Sequence, residues 1–162
     1  MKTPESLTIL LVEDDANLCM VLQDYLELMN YQVLVAHDGE KGLETFKSAK
    51  IDLCVLDVMM PRLDGFNLAS AIREINAQMP IIFLTAKSLK EDRLKGFALG
   101  CDDYMTKPFS TDELNLRIKA ILRRCIRNGS LTEWSDPKIF SFGGFSLDTH
   151  NLTLSYENNV QN

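Results

Sequence analysis

The chain has no apolar run approaching the ~18 residues that a membrane-spanning helix needs, and Met1 to Leu7 lacks the apolar core of a secretory leader. Both absences point to a cytoplasmic protein with no membrane partner. The four cysteines, Cys19, Cys54, Cys101 and Cys125, are widely separated and form no CxxC pair, so neither a zinc site nor a disulfide framework is indicated and the thiols are read as reduced and structural. His37 and His150 stand far apart without ligand-like spacing and receive no metal or catalytic role. Basic residues are outnumbered as well, 17 Lys and Arg against 23 Asp and Glu. The net charge is -6, and from Ser130 onward Glu133, Asp136, Asp148 and Glu157 outnumber the single base Lys138. A backbone grip on nucleic acid needs a basic face, so any DNA contact is expected to lie in residues absent from this chain.

What is present suits one domain of ordinary size with a short appendage: 162 residues, 46% hydrophobic and 25% charged. Four short apolar runs, Thr8 to Val12, Gln32 to Ala36, Ile51 to Leu56 and Pro80 to Leu84, have strand length. Three are nearly continuous, as expected where helices cover both faces of a parallel sheet. Between them Leu18, Val21, Leu22, Tyr25, Leu26 and Met29 follow helical spacing. Leu43 and Phe46 mark a second helix, Phe66, Ala69 and Ile72 a third, and Leu94, Phe97 and Ala98 a fourth. Gly39, Gly65 and Gly100 punctuate these segments. A short fifth strand fits Asp102 to Met105. Leu114, Ile118, Ile121, Leu122 and Cys125 mark a fifth helix, with Ser110 or Thr111 to cap its start and Arg123, Arg124 and Arg127 near its end. Strands alternating with helices predict an α/β fold with a doubly wound parallel sheet. After Arg127 a polar stretch through Asp136-Pro137 reads as a linker, and Phe145 to Leu147 and Leu152 to Leu154 read as two strands. Two strands alone are marginal in water, so this tail needs a further partner.

Acids coincide with two strand ends: Glu13-Asp14-Asp15 after the first and Asp57 after the third. Ligands of open parallel sheets bind outside the carboxyl ends of the strands, where the strand order switches. Carboxylates gathered there repel one another unless a hard divalent cation lies between them, and magnesium, or manganese in its place, is the natural occupant. Asp57 then serves as a carboxylate nucleophile towards a phosphoryl donor. Lys107 is the candidate cation for the transferring charge, and Thr85, ending the fourth strand, puts a hydroxyl on the same rim. Any one of these residues taken alone reads as a loop charge or a cap. Their order along successive strand ends makes them converge.

These stretches resemble a bacterial response-regulator receiver domain of the OmpR/PhoB winged-helix subfamily. The matching segments are Ile9-Leu10-Leu11-Val12-Glu13-Asp14-Asp15, Leu56-Asp57-Val58-Met59-Met60-Pro61 with Asp64-Gly65, Leu84-Thr85-Ala86, and Gly100-Cys101-Asp102-Asp103-Tyr104-Met105-Thr106-Lys107-Pro108-Phe109. The resemblance implies a flavodoxin-like five-stranded sheet of order 2-1-3-4-5 with five helices over residues 1–127, a linker at 128–138, and a short β segment at 139–162 that opens an incomplete winged-helix domain. It implies phosphorylation of Asp57 by a sensor histidine kinase. Asp14 would ligate the metal directly, Glu13 mainly through water, and Met59 through its carbonyl, while Thr85 and Lys107 would hold the phosphoryl group. Tyr104 would be the switch aromatic that follows Thr85.

The same resemblance implies a homodimer formed on phosphorylation through the fourth helix, fifth strand and fifth helix. Its ion pairs map onto Arg93 with Glu113, Asp103 with Arg117, and Asp102 with Arg124, and a fourth is broken because Ala98 stands opposite Lys119. Exposed pairs contribute only ~0 to 1 kcal/mol each, so the inference rests on their pattern. Such a protein is a phosphoacceptor controlling transcription rather than a turnover enzyme on external substrates. Two rival chemistries fit less well. An aspartyl-phosphate phosphatase normally has a second Asp where Met59 stands, and a flavin module needs a phosphate loop where this chain has three acids. A receiver acting as a constitutive dimerisation module without phosphorylation is the closer rival, against which the intact set Glu13, Asp14, Asp57, Thr85 and Lys107 counts.

Overall fold

In the computed structural model the described residues are 6–86, 94–95, 98, 102–127, 139–142, 145–148 and 153–156. The chain divides into two compact units, one running from Glu5 to Thr132 and the other containing Glu133–Asn162.

The larger unit alternates strand and helix: β1 (Thr8–Val12), α1 (Ala16–Leu28), β2 (Gln32–Ala36), α2 (Gly39–Ser48), β3 (Leu53–Asp57), α3 (Gly65–Ile75), β4 (Ile81–Thr85), β5 (Asp103–Thr106) and α4 (Thr111–Arg127). The five strands form one sheet in the order β2-β1-β3-β4-β5, and every neighbouring pair is parallel. The expected doubly wound sheet is therefore present with the expected order. Four helices are described. The helix expected around Leu94, Phe97 and Ala98 falls largely outside the described residues, although Leu94, Lys95 and Ala98 themselves are helical. The helix expected as the fifth is thus α4 here.

Short aspartates set where the helices begin. Asp15, Asp38 and Asp64 are the N-caps of α1, α2 and α3, each accepting backbone N–H groups that the first turn leaves without partners. Ser110 does the same for α4, its Oγ accepting from Glu113 N at 3.0 Å. Asp15 is therefore a cap, although in the sequence it adjoins the acidic pair. The middle strands are buried on both faces: β3 and β4 have no exposed residue. Leu10, Leu56, Leu68, Ile72, Ile81 and Phe83 are each fully buried in one continuous core. Each such side chain contributes about 1.5–3 kcal/mol, which is why the apolar runs alone located the strands.

The boundaries shift by one or two residues. β4 begins at Ile81, because Pro80 has no N–H to give to the ladder and only its carbonyl takes part, accepting from Cys54 N at 2.9 Å. β3 runs on to Asp57, which pairs with Leu84. In the smaller unit the tail holds three strands rather than two. β6 (Ile139–Phe142), β7 (Phe145–Asp148) and β8 (Thr153–Tyr156) form an antiparallel sheet in that order. Its register aligns Phe140 with Leu147 and Leu154, and Phe142 with Phe145 and Tyr156. With a period of two, those six residues belong to one face.

Candidate phosphoacceptor site

β1 and β3 are neighbours whose connections leave in opposite directions, β1 to β2 and β3 to β4, so a crevice opens beyond their carboxyl ends. Glu13 directly follows β1 and Asp57 ends β3. Both are buried, with 1% and 4% of their surface exposed, whereas Asp14 is exposed. One carboxylate oxygen from each of the three lies within 4.8 Å of the others. The sequence placed these acids together, and the fold brings them together.

Lys107, just past β5, enters the same crevice. Its Nζ lies 2.9 Å from Glu13 Oε2 and 3.4 Å from Asp57 Oδ2. The backbone N–H of Lys107 is given to Thr85 O at 2.8 Å, which ties the loop after β5 to the end of β4. The Lys107–Pro108 peptide is cis. Asp57 also accepts from Met59 N at 3.2 Å through Oδ1, and Glu13 accepts from Asp15 N at 3.2 Å. Thr85 is fully buried at the end of β4.

Charge in this crevice is not balanced. Burial pushes the Glu13 carboxyl up to about 7; the Lys107 hydrogen bond pulls it back, and the Asp57 charge pushes it further up. Asp57 is also raised, first by burial and then by Asp14, while Glu13, Lys107 and the Met59 N–H act the other way. Burial works to lower Lys107, yet its hydrogen bond to Glu13 and the charge of Asp57 leave it raised, and so firmly protonated. Three clustered oxygen donors with one ammonium form a group suited to a hard divalent cation: they supply only oxygen, and the extra positive charge would offset the burial that, with the neighbouring acids, raises Glu13 and Asp57.

Beside the acids lies a cleft of about 420 Å³ lined by Asp14, Val58, Met59, Met60, Pro61, Asp64, Phe66 and Lys95. Lys95 Nζ stands 4.9 Å from the centre of the Phe66 ring. Of this wall the sequence singled out only Asp14 and Met59 as site residues. Tyr104, the expected switch aromatic, is buried with its ring centre 6.2 Å from that of Phe83, which in turn meets Phe66 edge-on at 5.1 Å.

The expected dimer residues are placed as follows. Arg117 Nη1 lies 2.7 Å from both oxygens of Asp103 in the same chain, and its Nη2 lies 2.9 Å from Glu113. Asp102 accepts from Ile81 N at 2.9 Å and faces Arg73 at 3.6 Å. Arg124 is exposed, and Arg93 lies outside the described residues.

His37, which has no metal or catalytic role by its spacing, follows β2 beside the end of β1. Its Nδ1 lies 3.1 Å from the carbonyl of Glu13. A histidine following a strand gave no signal by spacing, because the contact is made to a backbone atom across the sheet.

Comparison with known proteins agrees with this architecture. Residues 9–119 match the family described as response regulator receiver domain. The transcriptional regulatory protein RprY of Bacteroides fragilis is 52% identical over 151 residues, covering 93% of this chain and 62% of that protein. The chain thus spans under two thirds of that relative's length. A CheY-like receiver domain protein from Methanospirillum hungatei superposes with a TM-score of 0.75 at 25% identity, over 77% of this chain and all of that one. The response regulator protein TrrA from Thermotoga maritima, solved in complex with Mg(2+)-BeF, gives 0.65 at 35% identity over 71% of this chain and 98% of the other. With its acids at the carboxyl edge of a 2-1-3-4-5 sheet, and with more than half its length matched, this chain belongs to the response regulator receiver domain family.

Proposed function

We propose that Asp57 accepts a phosphoryl group from a sensor histidine kinase and that the chain is the receiver of an OmpR/PhoB-type transcriptional regulator. The observation that carries this reading is the gathering of Glu13, Asp14 and Asp57 within 4.8 Å, faced by the Lys107 ammonium. A carboxylate oxygen of Asp57 attacks phosphorus, and the bond from phosphorus to the donor breaks with its electron pair leaving on the donor. The product is an acyl phosphate. Lys107 meets the charge brought in by the phosphoryl oxygens, and the Thr85 hydroxyl at the end of β4 supplies a hydrogen bond to one of them. Asp14 and Asp57 would hold a magnesium or manganese ion with the Met59 carbonyl, and Glu13 would act through water. When bound, that ion offsets negative charge on the acids and on the incoming group.

Phosphorylation replaces the singly charged Asp57 carboxylate with a group that carries about -1.5 to -2 charge and three acceptor oxygens. Thr85 then closes on the phosphoryl group, Tyr104 follows, and a homodimer forms through the helix containing Leu94, β5 and α4, joined by Arg93–Glu113, Asp103–Arg117 and Asp102–Arg124. Asp103 and Arg117 already pair within one chain, so dimer formation would exchange or share that bond.

In this reading residues 1–127 are the receiver, 128–138 a linker and 139–162 the opening strands of a winged-helix domain. The three-stranded antiparallel sheet β6-β7-β8 would open that domain, whose other residues would make the DNA contact. Among the described residues no helix is long and apolar enough to cross a membrane, and a cytoplasmic location follows from the same reading.

Intact mass after incubation with acetyl phosphate and magnesium tests it. The wild type should gain one phosphoryl adduct and shift from monomer to dimer, and Asp57→Asn should do neither. A wild type that takes up no phosphoryl group would instead favour a constitutive dimerisation module.

A further inference from the structure

The loop after Asp57 is held at two points, and only one belongs to the strand that carries it. At its base Gly65 N gives a hydrogen bond to Val58 O at 3.0 Å, and Gly65 packs so closely on the Asp57 backbone that a Cβ there would overlap the Asp57 carbonyl and lie 2.8 Å from Val58 Cα. At its crest Arg62 takes a left-handed conformation, φ 69°, which is uncommon for a residue with a side chain. The crest rests on the turn between β2 and α2. A Cβ on Gly39 would overlap the carbonyl oxygen of Leu63 and come 2.7 Å from Leu63 Cβ, and Asp38 faces Arg62 at 3.6 Å.

β2 is not a neighbour of β3, because β1 lies between them. The β2–α2 turn therefore reaches across the end of β1 to touch the loop after β3. On the way it holds the Glu13 segment as well: Glu13 N is given to Ala36 O at 3.1 Å, and His37 Nδ1 meets Glu13 O at 3.1 Å. One short turn, His37-Asp38-Gly39, thus abuts both acid-bearing segments while contributing no carboxylate to the group of three.

We infer that this turn sets the spacing between the two acidic segments and that Gly39 is a positioning residue for phosphoryl acceptance at Asp57. The inference rests on the phosphoacceptor reading above. Only glycine lets the Leu63 carbonyl approach the start of α2 this closely. Any side chain would push the crest outward, and the displacement would pass along the loop Met59–Leu63 to the Met59 N–H, which is given to Asp57 Oδ1 at 3.2 Å.

Gly42 provides an internal control. It lies one turn further along α2 and is also buried, but a Cβ there would meet only side chains, Val12 Cγ2 at 2.9 Å and Leu68 Cδ2 at 3.2 Å. The experiment compares the full chain with Gly39→Ala, Gly42→Ala and Arg62→Ala. Three quantities are read: the rate of adduct formation with acetyl phosphate, the magnesium affinity by calorimetry without any phosphodonor, and the melting temperature. Gly39→Ala should slow adduct formation at least tenfold and weaken magnesium binding several-fold. Gly42→Ala should lower the melting temperature by a similar amount yet leave rate and affinity within twofold of wild type. Arg62→Ala, at an exposed side chain, should fold normally and slow the reaction two- to threefold.

Absence of any adduct on the wild type would remove the phosphoacceptor reading itself. A reactive wild type with Gly39→Ala unchanged in rate and magnesium affinity, or with Gly42→Ala impaired equally, would overturn the positioning role. Should Gly39→Ala fail to fold, Arg62→Ala decides, and an unchanged rate there overturns the inference.

Discussion

The two ends of the parallel sheet use the same residue type to opposite effect. At the amino end Asp52, buried just before β3, accepts from Thr8 N at 2.8 Å and staples the start of β1 to its neighbour. Asp102, just before β5, does the same for β4 through Ile81 N at 2.9 Å, with Arg73 alongside. Each acid there is matched by a donor that the strand start would otherwise leave unpaired. At the carboxyl end Glu13, Asp14 and Asp57 crowd one another, and the buried pair shares the ammonium of Lys107 and accepts from the backbone N–H groups of Asp15 and Met59. Burial alone does not mark a functional acid. What marks it is negative charge that the fold has gathered in one crevice.

The largest effect should come from the cation that faces both buried acids at the carboxyl end. Lys107→Ala removes the ammonium facing Glu13 and Asp57, and phosphoryl uptake from acetyl phosphate should fall by about 10²- to 10³-fold, as when a preorganised charge-stabilising donor is lost. Intact mass over time measures it. A loss below threefold would mean that the crevice does not work through Lys107. The amino end should answer the other way. Asp52→Ala leaves the Thr8 N–H without its acceptor, so stability in urea should drop by about 1–3 kcal/mol, while the phosphorylation rate stays within twofold of wild type. If Asp52→Ala abolished phosphorylation without unfolding the protein, the contrast between the two ends would fail.

Much of this was legible from the residues, and the limits follow from what sequence encodes. Strand positions follow from short apolar runs, and the site follows because Glu13, Asp14, Asp57, Thr85 and Lys107 each stand at a strand end, so one topology brings them to one edge. The sequence does not say who pairs with whom. Lys107 was expected to serve the phosphoryl group on Asp57, yet it lies nearer Glu13. The resemblance implies Asp103 and Arg117 as partners across a dimer, and within the single chain they also meet because β5 and α4 are close in the fold. Charge patterns carry no information on whether a pair is internal. The contact of Gly39 with Leu63 joins segments after strands that are not adjacent, which no local period reveals. β6 was the avoidable miss: Phe142 and Phe145 are separated only by Gly143-Gly144, a two-residue spacing that favours a hairpin.

The smallest effect is the finest test of the comparison, because it reads the crowding itself. The folded protein holds Glu13 at about 7, above its ordinary value of 4.5. A carboxyl raised on folding stabilises the native state fully below its unfolded value, and that contribution is lost as pH rises through the folded value. Metal-free protein should therefore lose stability between pH 5 and pH 8, by on the order of 1 kcal/mol once solvent screening is allowed for. Urea midpoints across that range measure it. Glu13→Gln has no carboxyl to ionise there, so its profile should be flatter and its stability at pH 8 higher than wild type, even as phosphoryl uptake weakens. Magnesium should restore wild-type stability at pH 8, since a ligand that binds only the folded state stabilises it by mass action. A wild-type profile that stays flat from pH 5 to pH 8 without metal would show that the carboxyl end is as well matched as the amino end, and the distinction between them would have to rest on geometry alone.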